Sequence, residues 1–150
     1  MNGISLSDPF TAGFGGRKTV GDVLIEPTTL YPASVAAVRR AAAAAGPLGM
    51  AHVTGGGFTE NIPRVIPPGL GVRIDLGSWA MHPVFPWIQS VGGVPEEEMY
   101  KTFNMGVGMV VVLRRADADA VVACADCAEF GVSVIGEVVD DGTEGVRYAR

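Results

Sequence analysis

The sequence predicts an α+β fold of the layered type, a mixed β-sheet covered by helices. Three observations predict it. Short apolar runs rich in Val and Ile alternate with helix-favouring runs along the chain. Glycine and proline mark most of the changes between them. Hydrophobic residues make up 48% and charged residues 18% of the 150, a globular balance and not a disordered one. One domain of this length buries ~70% of its unfolded surface, which is enough for a core.

Residues 1–18 are polar and glycine-rich and read as a partly ordered lead-in to a domain spanning 19–150. Val23 to Tyr31 reads as a strand, with Pro27 suggesting an edge or a bend. Pro32 suits the first turn of a helix. Ala33 to Ala45 is alanine-rich and helix-favouring, with Gly46 as its stop. Met50 to Thr54 reads as a second strand, followed by short helical turns that Pro63 limits. Gly71 to Leu76 reads as a third strand. Pro83 to Ser90 is a short helix. Pro95 opens another, whose Glu96, Glu97 and Glu98 complement the helix dipole. Gly108 to Leu113 is an almost unbroken apolar run, the pattern of a buried central strand. Asp117 to Phe130 reads as one helix closed by Gly131. Val132 to Val139 reads as a strand, and Gly145 to Ala149 as a last one.

The net charge of −5 argues against a nucleic-acid binder, which needs a basic face. No run of about 18 apolar residues is present, so no membrane helix is expected. No signal peptide is visible, and a cytoplasmic location is the expectation. Cys124 and Cys127 are the two cysteines. A zinc site needs more ligands, and a redox CxxC sits at a helix start, whereas this pair falls late in a predicted helix. They read as core thiols.

The stretch with the most chemistry is Ala51-His52-Val53-Thr54-Gly55-Gly56-Gly57-Phe58-Thr59-Glu60-Asn61-Ile62-Pro63-Arg64. Three glycines between an apolar segment and a helix start can present bare N–H groups to an anion. Arg64 offers a planar fork of donors for phosphate or carboxylate. His52 offers an imidazole, a side chain suited to acid–base work. The plainer alternative is a tight strand-to-helix turn with a structural histidine. A second glycine pair, Gly106 and Gly108, follows Asn104 and Met105. It either lines the same cleft or only permits a tight helix-to-strand connection. His82 reads as a surface or helix-capping residue.

Three segments, Gly21 to Thr28, His52 to Arg64 and Met99 to Met109, resemble in order and spacing the C-terminal domain of phosphoribosylformylglycinamidine cyclo-ligase (aminoimidazole ribonucleotide synthetase). The resemblance runs from about residue 2 to the end. It implies a mixed sheet with helices, and an ATP-dependent ring closure that converts formylglycinamidine ribonucleotide to aminoimidazole ribonucleotide in purine biosynthesis. It implies His52 as catalytic residue. It implies Thr54, Gly55, Gly56 and Gly57, supported by Asn61 and Arg64, as substrate or phosphate contacts. It puts Asn104, Met105, Gly106 and Gly108 toward the nucleotide or the other domain, with Asp22 and Glu26 at the cleft edge.

The family's N-terminal domain, which carries much of its ATP and Mg2+ site, has no counterpart in this sequence. That domain is the expected partner, with a homodimer as the intact assembly and no metal ligands expected here. No GxxxxGK[ST] motif and no Asp cluster suited to magnesium occurs. The isolated domain is expected to be inactive. Related alternatives are the amidotransferase synthetase, selenophosphate synthetase and thiamine-monophosphate kinase members of the same superfamily. A different class is a non-catalytic domain that binds a nucleotide or a partner chain.

Overall fold

The fold was obtained as a computed structural model, which describes residues 3–13, 16–42 and 46–150. In chain order its elements are α1 (Val20–Leu24), α2 (Pro32–Ala41), β1 (Gly49–His52), α3 (Gly57–Asn61), a 3-10 turn (Pro63–Val65), β2 (Gly71–Asp75), α4 (Val84–Gly92), α5 (Glu96–Thr102), β3 (Met109–Val112), α6 (Arg115–Ala123), α7 (Ala125–Ala128), β4 (Gly136–Val139) and β5 (Gly145–Ala149). The α+β class stands. The strands divide into two sheets. β1 and β3 form an antiparallel ribbon, while β2 lies between β4 and β5. β2 runs antiparallel to β4 and parallel to β5, so this second sheet is mixed.

One core joins the two sheets. Ala51 and Val110 of the ribbon, Val72 and Ile74 of β2, Phe58 of α3, and Met99 and Tyr100 of α5 bury into it together. A second cluster gathers Ala37, Val38, Val121 and Cys127 under α2, α6 and α7. A third is built on Phe10, fully buried against Val20, Val23 and Trp87. Residues of the lead-in are therefore tied down. Phe10 N–H donates to the Lys18 carbonyl at 2.8 Å and Gly21 N–H to the Leu6 carbonyl at 2.8 Å.

Four expectations change. The strand expected over Val23 to Tyr31 does not form. Thr19 and Asp22 make a reciprocal capping box that starts α1 instead, satisfying orphan N–H groups at the helix start. Among the described residues, the segment from Ile25 to Tyr31 joins no ladder. The run from Gly108 to Leu113 is not a central strand, because among the described residues β3 pairs only with β1 and, within β3, only Val110 is buried. The helix expected from Asp117 to Phe130 breaks at Cys124, whose extended backbone (φ −78°, ψ 123°) caps α7. Cys124 thus stands at a helix start. Cys127 is nevertheless a core thiol with no exposure, and burial foremost, then its bond to Cys124, pushes it above the usual thiol range. The strand expected from Val132 is shorter, beginning at Gly136. Helix α2 is described to Ala41; residues 43–45 of that expectation lie outside the described residues.

Candidate functional site

The antiparallel pairing of β1 with β3 places both glycine loops at one end of the ribbon. His52, the last residue of β1, stands opposite Met109, the first of β3. The next rung is Val53 N–H donating to the Gly108 carbonyl at 2.9 Å. Beyond it the chain turns through Thr54 to Gly57 on one side, and arrives from Asn104 to Gly108 on the other.

The three glycines of the first loop have different reasons. Gly57 N–H closes the turn on the Thr54 carbonyl at 3.0 Å. Gly56 and Gly57 take φ of 94° and 54°, the left-handed region that glycine enters without penalty. A Cβ on Gly57 would stand 2.1 Å from the Tyr100 carbonyl oxygen, so α3 packs on α5 only through a bare Cα. Gly55 has neither constraint: its φ is not positive, and nothing lies within 4 Å of where a Cβ would be. Gly55 is exposed. The fold therefore demands glycine at two positions and leaves the third open to an approaching group.

Asn61 holds the loop from beneath. It is 5% exposed. Its amide nitrogen donates to the carbonyls of Gly57 at 2.8 Å and Gly55 at 3.2 Å. Its oxygen accepts from Arg64 at 3.4 Å. Asn61 thus supports the loop, and its polar atoms point into the protein. Arg64 also lies 3.6 Å from Glu60, with both side chains mostly exposed, so its fork remains open to water. Thr54 and His52 are exposed.

The second loop is equally constrained. Asn104 accepts from Gly106 N–H at 3.0 Å through its side chain and from Val107 N–H at 2.8 Å through its carbonyl. Met105 has φ of 49°, a region costly for a side-chain-bearing residue. Its side chain is buried in the main core, and its carbonyl accepts from Trp79 Nε1 at 3.0 Å. Met105 anchors the loop, while Gly106 is exposed and Asn104 half-buried.

Reading the sequence alone missed Tyr31. Its ring meets His52 edge-on, with centroids 5.5 Å apart, and its hydroxyl lies over Gly108. The sequence carried no signal for it, because Gly108 alone does not say which residue packs against it. The hydrogen bonds and ion pairs of Asp22 and Glu26 lead away from these loops. Asp22 is held in the α1 cap, and Glu26 pairs with Lys18 at 3.2 Å. His82 is half-buried and caps α4, its Nδ1 accepting from Val84 N–H at 3.3 Å.

The donors suit an anion: exposed backbone at Gly55, the Arg64 guanidinium and an imidazole nearby. They do not suit a hard divalent cation. Among the described residues no three His, Cys, Asp or Glu side chains gather into a metal-binding group. The pocket of about 520 Å³ between Pro63, Pro67, Leu70, Val72 and Glu144 is lined by none of these residues.

Comparison with known proteins decides the family. The pattern described as "AIR synthase related protein, C-terminal domain" matches residues 1–149. The chain belongs to this family. It is 49% identical over 106 residues to the phosphoribosylformylglycinamidine cyclo-ligase of Bacillus licheniformis, covering 71% of this chain and 30% of that protein. It is 42% identical over 134 residues to the chloroplastic phosphoribosylformylglycinamidine cyclo-ligase of Arabidopsis thaliana, covering 89% of this chain and 33% of that protein. The chain therefore spans about a third of the length of these relatives. The family match includes the lead-in, consistent with the burial of Phe10. Among the described residues no helix is long and apolar enough to cross a membrane.

Proposed function

We propose that this chain is the C-terminal part of an ATP-dependent cyclo-ligase that forms aminoimidazole ribonucleotide from formylglycinamidine ribonucleotide. The observation that carries the reading is the meeting of two glycine loops at one end of the β1–β3 ribbon, in a chain 42–49% identical to proteins of that name. ATP, when bound, supplies the phosphoryl group that turns the amide oxygen into a leaving group. The chain's own part is to hold and orient. Exposed backbone at Gly55 and the Arg64 fork receive a phosphate or another anionic part of the substrate. Asn61 fixes the loop that offers them. His52 stands at the loop's base, where an imidazole can donate or take up a proton. Asn104 and Gly106 face the nucleotide or the rest of the enzyme. Mg2+ and most of the ATP contacts belong to the portion this chain does not span. The intact assembly is a homodimer working in the cytoplasm.

The test is to purify the chain and assay ATP-dependent aminoimidazole ribonucleotide formation with and without the remaining portion of a cyclo-ligase. Turnover only in the combined sample is expected. No turnover in either, with binding retained, would favour a non-catalytic partner domain.

A further inference from the structure

The residues between α1 and α2 read as a strand but join no strand among the described residues. Ile25 N–H still belongs to α1, donating to the Gly21 carbonyl at 3.0 Å. From Glu26 to Leu30, no backbone N–H or C=O has a hydrogen-bond partner among the described residues. Every residue from Leu24 to Leu30 is exposed. Ile25 and Leu30 are each 82% exposed, the highest values among the exposed large apolar side chains described.

Apolar side chains, β-branched Thr28 and Thr29, and unpaired backbone together describe an edge awaiting another strand. Pro27 is compatible with such an edge, because it needs no ladder donor. Ile25 is the helical C-cap of α1 (φ −86°, ψ −6°) and stands at the entrance of the open stretch from Glu26 to Leu30.

We propose that residues 26–30 add as a strand to the edge of a β-sheet in the two thirds of a cyclo-ligase that this chain does not span. Backbone bonds supply the affinity in such strand addition, and alternate side chains fix the register. The occupant is chosen because the relatives continue for about twice the matched length again, and the segment lies on the same connection as Tyr31, which reaches the candidate site. The proposal rests on the chain acting as one part of a larger cyclo-ligase; turnover tests that reading, and amide protection tests this one.

The experiment replaces the matched third of the Bacillus licheniformis cyclo-ligase with this chain and follows amide exchange by mass spectrometry and NMR. In the chain alone, Thr28, Thr29 and Leu30 should exchange at nearly the free rate while Val72 and Ile74 are protected. In the chimera, exchange at Thr28 to Leu30 should slow by ~10²-fold or more. Thr29→Pro should leave the thermal midpoint of the isolated chain unchanged and lower that of the chimera. Fast exchange at these residues in a chimera whose β2 is protected overturns the proposal. So does protection in the isolated chain that grows with concentration, which would assign the edge to a second copy. A chimera that loses protection throughout also counts against it, since a pairing kept at this identity should survive the exchange.

Discussion

The hydroxyl of Tyr31 occupies the space a side chain on Gly108 would need: a Cβ there would stand 1.8 Å from Tyr31 Oη and 2.8 Å from its Cζ. The glycine is required for this contact and not for its backbone angle, since its φ is not positive. The contact ties the connection before α2 to the entrance of β3, beside His52.

Gly108→Ala should therefore destabilise the chain by about 1–3 kcal/mol, the usual cost of overpacking. Tyr31→Phe removes the closest atom, so the double variant should lose less than the sum of the two single changes. Thermal denaturation of the four proteins gives the coupling. Strict additivity would show that Tyr31 does not rest on Gly108 in solution.

The three loop glycines should separate in their response to alanine. Gly57→Ala meets a backbone oxygen at 2.1 Å and holds a φ of 54°, and should cost about 3 kcal/mol or more. Gly55→Ala meets nothing and should change stability by no more than about 0.5 kcal/mol. If Gly55 receives the anion, the same change should weaken binding of inorganic phosphate or of substrate by the combined enzyme. Equal midpoints for the two variants would refute the structural distinction.

Asn61→Ala should cost about 1–3 kcal/mol, because it strips donors from two carbonyls and leaves a void beneath the loop. Asn61→Asp should be worse at neutral pH, with a carboxylate facing the oxygens of Gly55 and Gly57. Its folded pKa would lie above the unfolded value, so stability would recover as pH falls below that folded pKa. A pH-independent deficit from pH 4 to 8 would argue that Asn61 is not held against those carbonyls.

Alkaline pH should loosen the fold. The rings of Tyr100 and Tyr148 meet at a tilt with centroids 4.9 Å apart, and burial foremost pushes both phenols above the ordinary value. Cys127 is raised chiefly by burial as well. For each, the protonated form is favoured in the folded state. Their contribution is thus intact below the unfolded pKa, near 8.5 for the thiol and 10 for the phenols, and is lost as pH rises toward the folded values. Denaturant midpoints should fall from about pH 9 upward, and Cys124 should react with a thiol reagent before Cys127. Faster reaction at Cys127 would contradict its burial.

The sequence was legible where local physics decides. The proline that opens α2, the glutamates of α5 and the positions of β1, β2 and β5 all follow from nearest neighbours. It misled where one pattern served two outcomes. Val23 to Tyr31 carries strand residues, yet the Thr19–Asp22 cap takes its first part into a helix and no described strand meets the rest. The apolar run at Gly108 promised a sheet interior, but its second face is covered by α2 and α6, and its outer edge has no partner among the described strands.

By itself the sequence determined the α+β class, the family resemblance and the two glycine loops, because capping, turn chemistry and apolar periodicity act within a few residues. Only the tertiary structure decided that those loops share one end of a ribbon, that Gly57 serves packing while Gly55 stays open, that Asn61 turns inward, and that Tyr31 stands over Gly108. Each of these depends on contacts between residues far apart in the chain. Pairing register and the space left by a missing Cβ exist only once the elements have packed.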